Sequence, residues 1–299
     1  MTPKKIILEP LMTVEESDAM AGKLLRQEDC SKLFTSDVDV YDKESGKCIA
    51  KFRKGLIPAN VQIAAYDSLL KAATVTSNRG TGGGRDEETG KVAEKKILKS
   101  GKMSKTSHAL TAVESGIAGY FDRTVRFPNC RLTAFNKHHM PQFKKAYPIF
   151  KLVDNTYAKL MPDEYKKQRA QADATSPDFV ITGTSFTTIT INRNWQTAVH
   201  KDAGDFKGGF GNLVALRKGT FSGGHFVVVR WGCGFDLQNG DVLLVDVHQW
   251  HGNTPIVKDD PKAVRLSLVM YYRENMIHCG TMKEELQRAK TRKKGQPLN

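Results

Sequence analysis

His200-Lys201-Asp202 sets an imidazole and a carboxylate two residues apart, after a strand-like run and before a glycine-rich turn. On a strand, residues i and i+2 share a face, so both side chains can reach one metal ion. Downstream, the stretch Val247-His248-Gln249-Trp250-His251-Gly252 offers two further histidines, just past the apolar run GDVLLVDV. His248 and His251 fall on opposite faces if that strand continues, so one of them can join the pair. Two histidines and one carboxylate on one side of an ion leave its other positions open. That arrangement suits Fe(II), which must also take up a co-substrate and O2. An H-x-D pair alone carries little weight, since a solvated histidine beside an aspartate is the commoner reading.

Three features strengthen the metal reading. His251 follows Asp202 by 49 residues, room for the intervening strands of a β-helix core. Arg265, 14 residues beyond His251, opens the apolar run RLSLVMYY. A charged residue entering such a strand needs a partner, and a guanidinium fork suits a dicarboxylate held by two parallel hydrogen bonds. Finally, FSGGHFVV puts Gly223 and Gly224 at a turn into a strand, where the backbone can approach a site closely.

The elements that must position these groups are legible from periodicity. VEESDAMAGKLLRQE (14–28) has helical, amphipathic spacing. VDVYDKESGKCIAKFRKGLIP predicts a hairpin turning at Ser45-Gly46, and Pro58 precedes a helix in ANVQIAAYDSLLKAA. Residues 77–107, rich in Gly, Lys and Arg without an apolar period, are expected to be a mobile basic loop, either touching phosphates or simply solvated. Residues 140–171 are helical in pattern, punctuated by Pro148 and Pro162. After Pro177 the chain becomes β-branched and alternating, and short apolar strands follow between Gly, Asn and Asp turns. The expectation is an α+β protein: a double-stranded β-helix core flanked by N-terminal helices. Read as a single domain, it divides into a helical and hairpin N-terminal part (1–120) carrying the basic loop 77–107, a β-helix core with its supporting helices (121–282) and a basic tail (283–299).

Composition narrows the setting. The net charge of +14 points to a polyanionic partner, most simply nucleic acid. Cys30, Cys48, Cys130, Cys233 and Cys279 are odd in number and lack Cys-x-x-Cys spacing, arguing against a zinc module and a disulfide framework. A reducing, intracellular location follows as the expectation. No stretch approaches the roughly 20 apolar residues that span a bilayer, so no membrane partner is expected.

Taken together, these segments resemble the TET/J-binding-protein family of nucleobase dioxygenases. SFTTITINRNWQTAVHKD resembles the family's strand leading to its H-x-D, and YAKLMPDEYKKQ the helix upstream of it. GDVLLVDVHQWHGNTP is similar to the strand delivering the distal histidine, and RLSLVMYYRENM to the closing strand with its Arg-x-Ser pair. The matches run in order from about residue 150 to 276. The resemblance favours His251 over His248 and implies that His200, Asp202 and His251 bind iron while Arg265 and Ser267 bind 2-oxoglutarate. It places His225 near the co-substrate and Tyr271 against a flipped base. Arg273 and Asp205 stand where TET proteins carry a base-contacting histidine and asparagine, and these departures leave the base open between 5-methylcytosine and thymine. The implied activity is oxidation of the pyrimidine methyl in DNA with Fe(II), 2-oxoglutarate and O2. The alternatives are the same chemistry on a free nucleotide or a protein side chain, and an inactive oxygenase fold that only binds nucleic acid.

Overall fold

The strand Val264–Tyr271 sends alternate residues in opposite directions. Leu266, Leu268 and Met270 enter a core beneath the helices. Arg265, Ser267, Val269 and Tyr271 face a cavity on the other side. This register organises the molecule, a computed structural model that describes residues 3–86, 88, 95–97, 103–107, 112–124 and 127–291.

Val264–Tyr271 lies inside a large sheet ordered Lys4–Leu8, Val38–Asp42, Cys48–Arg53, Val242–Val245, Gly211–Lys218, Val264–Tyr271, Thr188–Arg193, Val113–Phe121 and Val75–Thr76. A smaller sheet faces it, ordered His251–Asn253, Phe226–Val228, Cys233–Phe235 and Lys32–Phe34. Val40, Phe52, Ala215, Phe226, Val228 and Leu243 fill the space between the sheets. The outer face of the large sheet is covered by helices Ala59–Leu69, Ala134–Lys145, Tyr147–Leu160 and Pro162–Ala174, through Phe143, Phe150, Val153 and Tyr157. Two facing sheets with helices packed outside are the double-stranded β-helix and the α+β class expected from the pattern.

Local chemistry explains the boundaries. Pro162 opens its helix at a position where no amide donor is needed, and Pro148 lies in the first turn of the helix before it. Thr133 caps Ala134–Lys145 by accepting from the Asn136 amide. Gly46 turns the hairpin with a φ of +66°.

Three expectations need correction. The helix anticipated over 14–28 is only Val14–Asp18, opened by a Thr13/Glu16 capping box. Beyond it, the Gly22 amide donates to the Val199 carbonyl and the Val199 amide to the Lys23 carbonyl, so backbone pairing overrides helical spacing. The stretch 77–107 is not structureless throughout: Gly80–Gly83 is a 3-10 turn, and Lys95–Ile97 pairs antiparallel with Met103–Ser107. The rest of that stretch beyond residue 86, apart from residue 88, lies outside the described residues. Cys130 and Cys279, 149 residues apart, form a disulfide, while Cys30, Cys48 and Cys233 are free. A pairing over that separation leaves no spacing signal.

The N-terminal segments also contribute strands as well as helices. Lys32–Phe34 joins the smaller sheet beside Cys233–Phe235, and Cys48–Arg53 pairs with Val242–Val245. The basic tail begins as the helix Met282–Thr291, and residues 292–299 lie outside the described residues. Among the described residues, no helix is long and apolar enough to cross a membrane.

Candidate metal and co-substrate site

His200 and His251 meet through their backbones. Each amide donates to the other's carbonyl, at 2.9 and 3.0 Å, forming an isolated antiparallel bridge. The Asp202 amide donates to the Val247 carbonyl at 3.1 Å, fastening the same loop to the end of the neighbouring strand. The side chains are aimed as firmly. His200 Nδ1 lies 2.8 Å from the Ala198 carbonyl and His251 Nδ1 2.9 Å from the Gln249 carbonyl. With Nδ1 donating, Nε2 of each ring carries the free lone pair. Those Nε2 atoms sit 3.5 Å and 3.8 Å from the two Asp202 oxygens. The three ligand atoms lie within 4.8 Å of one another. Phe226 stacks on the His251 ring with centroids 5.0 Å apart.

Electrostatics fit a cation. Burial pulls the His251 pKa down to about 4, reinforced by His200, so this imidazole is neutral and able to ligate near neutral pH. Burial also lowers His200, but the hydrogen bond and charge of Asp202 outweigh it and leave its pKa raised. For Asp202, burial works against ionisation; His200 and His251 overcome it and lower its pKa. Among the described residues this is the one group of three such side chains with metal-binding spacing. His248 is not part of it: its Nδ1 pairs with Asp246 at 3.0 Å.

Arg265 lies on the same cavity wall, 5% exposed. Its amide donates to Asn194 Oδ1, but its guanidinium has no ion pair among the described residues. Asp236, the carboxylate that attracts it, is taken by Arg217 at 3.6 Å. Burial, with repulsion from Arg217, brings the Arg265 pKa down to about 10. A buried, unpaired guanidinium calls for an anion. Gly224 makes room for it: at φ +67°, a Cβ there would sit 3.0 Å from Arg265 Cδ and Nε. Ser267, two residues along, shares that face.

The other expected contacts divide. Tyr271 and Asp205 line the cavity. The Tyr271 hydroxyl lies 3.2 Å from Thr190 Oγ1. Asp205 Oδ2 is buried without a hydrogen bond, and burial and the Asp202 charge raise its pKa well above the usual carboxylate value, against the pull of Arg273. Arg273 is outside the cavity lining; it pairs with Asp122 at 2.9 Å and stacks over Phe121. His225 is also outside the lining, close enough for Arg265 to depress its pKa after burial has done so, and its Nδ1 is unpaired. Along the cavity strand, Arg265 and Tyr271 are six residues apart, about 20 Å at strand rise. The cavity, about 450 Å³, therefore has an anion-holding end and a Tyr271 end.

Sequence reasoning missed the roof. Asn78, Arg79, Gly80, Thr81 and Gly82 line the cavity. The Ala198 amide donates to the Gly82 carbonyl at 3.0 Å, and a Cβ at Gly82 would touch the His200 ring at 3.5 Å. The available signal was the glycine run itself, which permits such an approach. Trp195, Asn192 and Thr197 line the cavity without any sequence cue.

A β-helix with this three-ligand cluster and a buried arginine is the arrangement that ferrous, 2-oxoglutarate-using chemistry would need. A family profile described as the oxygenase domain of the 2OGFeDO superfamily matches residues 116–274, just over half of the chain. The chain belongs to this Tet/JBP family. It is 38% identical over 184 residues to thymine dioxygenase JBP1 of Trypanosoma brucei brucei, covering 60% of this chain and 21% of that one. It is 33% identical over 251 residues to the bifunctional helicase and thymine dioxygenase JBP2 of Leishmania major, covering 82% and 20%. The chain thus spans about a fifth of the length of these relatives. The solved structure of NgTET1 in complex with 5mC DNA shares the fold, with a TM-score of 0.57 at 14% identity over 90% of this chain and 89% of that one.

Proposed function

We propose that this chain is an Fe(II)- and 2-oxoglutarate-dependent dioxygenase that hydroxylates the methyl group of a pyrimidine in DNA, with thymine the first base to test. The observation that carries the reading is the cluster His200, Asp202 and His251 sharing one cavity with the unpaired guanidinium of Arg265. Two neutral-capable imidazoles and a carboxylate fit Fe(II), and the buried arginine fits the far carboxylate of 2-oxoglutarate. When bound, the iron and 2-oxoglutarate supply, with O2, the oxidant for C–H hydroxylation, and succinate and CO2 leave.

The chain's own residues supply position and dryness. His200, Asp202 and His251 hold the metal on one side. Arg265 and Ser267 hold the co-substrate at one end of the cavity. Leu213, Phe226, Val247 and Val269 give it apolar walls that keep water out. Tyr271 and Asp205 face the substrate: the ring offers a stacking surface, and Asp205 a carboxyl group for the base edge. His225 supports the arginine end, and Arg273, held by Asp122, closes the rim beside Asp205. The family's JBP relatives, named for thymine, and the +14 charge favour DNA thymine.

The test is incubation with Fe(II), 2-oxoglutarate and duplex DNA containing thymine alone or thymine with 5-methylcytosine, then mass spectrometry of the nucleosides. The expected product is 5-hydroxymethyluracil. Turnover of 2-oxoglutarate with neither base gaining oxygen overturns the DNA reading.

A further inference from the structure

A second cavity, of about 330 Å³, adjoins the first, and Arg79 lines both. Its other polar lining is Lys71, His138 and His139 with the hydroxyl residues Thr74, Thr76 and Ser115, and no carboxylate lines it among the described residues. Arg79 is poorly partnered for a guanidinium so enclosed. Its Nε is buried without a hydrogen bond, and no carboxylate pairs with it among the described residues. The Tyr271 phenol, whose hydroxyl meets Thr190, attracts it. The Ser115–Ile117 wall of the second cavity registers with Asn192–Thr190 and, through them, with Ser267–Val269, so Arg79 stands beside the middle of the cavity strand. The backbone holding Arg79 is fixed, since the turn that follows is bonded through Gly82 to Ala198 and through Gly84 to Thr81.

Two guanidiniums thus face one space. Arg265 sits where a dicarboxylate would be anchored. Arg79 sits to the side of it, at the doorway to a basic annex. A nucleotide entering by its base carries an anion just outside the base, and a strand carries another beyond it. We propose that Arg79 grips the phosphate of the nucleotide whose base enters the first cavity, and that Lys71 and His138 in the annex take the adjacent phosphate of the same strand. This rests on the nucleotide reading above and assigns the glycine-rich turn its role. Arg79 is then a positioning residue that sets how deep the base descends.

The test is fluorescence polarisation of a labelled thymine-containing duplex with the iron- and 2-oxoglutarate-loaded protein, without O2, between 50 and 200 mM salt. Removing one phosphate-neutralising cation flattens the slope of log affinity against log salt by about 0.9, so over that range Arg79→Ala loses roughly 3.5-fold less affinity than the native chain. Its affinity at 50 mM salt falls by about tenfold. Lys71→Ala flattens the slope similarly, whereas Arg79→Lys keeps it. Arg79→Gln retains length and donors without charge, and decides the matter if Arg79→Ala does not melt cooperatively. A native slope in the uncharged variants overturns the phosphate site, even when the duplex is oxidised and the oxygenase reading stands. If the native chain ignores duplex but binds thymidine monophosphate more tightly than its Arg79→Gln variant by calorimetry, the phosphate site stands and the DNA reading falls.

Discussion

Gly224→Ala probes the arginine end without touching a charge. The added Cβ would lie 3.0 Å from Arg265 Cδ and Nε and 3.1 Å from Ile256 Cγ1, so the guanidinium must shift by a few tenths of an ångström. Backbone cost adds to this, since Gly224 has φ +67° and a non-glycine residue there costs about 1–2 kcal/mol. For a chain this long, that lowers Tm by about 2–4 °C. A bidentate charge-assisted contact is worth about 1.5–3 kcal/mol, and losing half of it raises the KM for 2-oxoglutarate about 4- to 13-fold. Gly55→Ala is the control: φ is +63° and nothing lies within 4 Å of its Cβ, so it carries the backbone cost alone. The assay is succinate release against 2-oxoglutarate at saturating Fe(II) and DNA, with melting curves for both variants. An equal Tm loss in the two with unchanged KM in Gly224→Ala would refute the placement of the co-substrate against Arg265.

Other outcomes follow from the same geometry. Arg265→Ala is expected to weaken 2-oxoglutarate binding by about 100-fold or more while leaving stoichiometric iron binding intact, as measured by calorimetry and metal analysis. His200→Ala and His251→Ala are each expected to abolish stoichiometric Fe(II) binding, whereas His248→Ala retains it, because that ring pairs with Asp246. Glu285 is buried, and although burial alone would raise its pKa, Arg123 and the amides of Gly280 and Cys130 lower it below 4.5. Its stabilising effect is therefore complete above pH 4.5 and lost as pH falls through the depressed folded value, so Glu285→Gln should flatten the acid limb of a Tm–pH curve. Reducing the Cys130–Cys279 bridge, which spans 149 residues, should lower Tm by up to about 8 °C by the loop-entropy relation; no change on adding reductant would show that the bridge does not form in solution.

The grouping of the candidate site residues was more legible than the scaffold's details. His200, Asp202 and Arg265 stood out because strand periodicity and a charge in an apolar run are local signals. The choice of His251 over His248 needed the family resemblance, since strand alternation stops being informative once the chain turns at 247–249. The helices after residue 134 announced themselves through Pro148, Pro162 and their apolar spacing. The segment 19–28 did not, because backbone pairing with Val199 decides its shape, and that partner is far away in sequence. Arg79 was hidden for the same reason: a glycine-rich basic stretch looks solvated until the strand it crosses is known. The Cys130–Cys279 pair is equally non-local.

The mutual amide–carbonyl bonds between residues 200 and 251 have a practical corollary. Because main chain rather than the ion brings the two imidazoles together, emptying and refilling the centre demands little rearrangement. Manganese, cobalt or nickel should therefore slip into an already shaped socket, giving redox-silent complexes in which substrate can be trapped and watched at leisure.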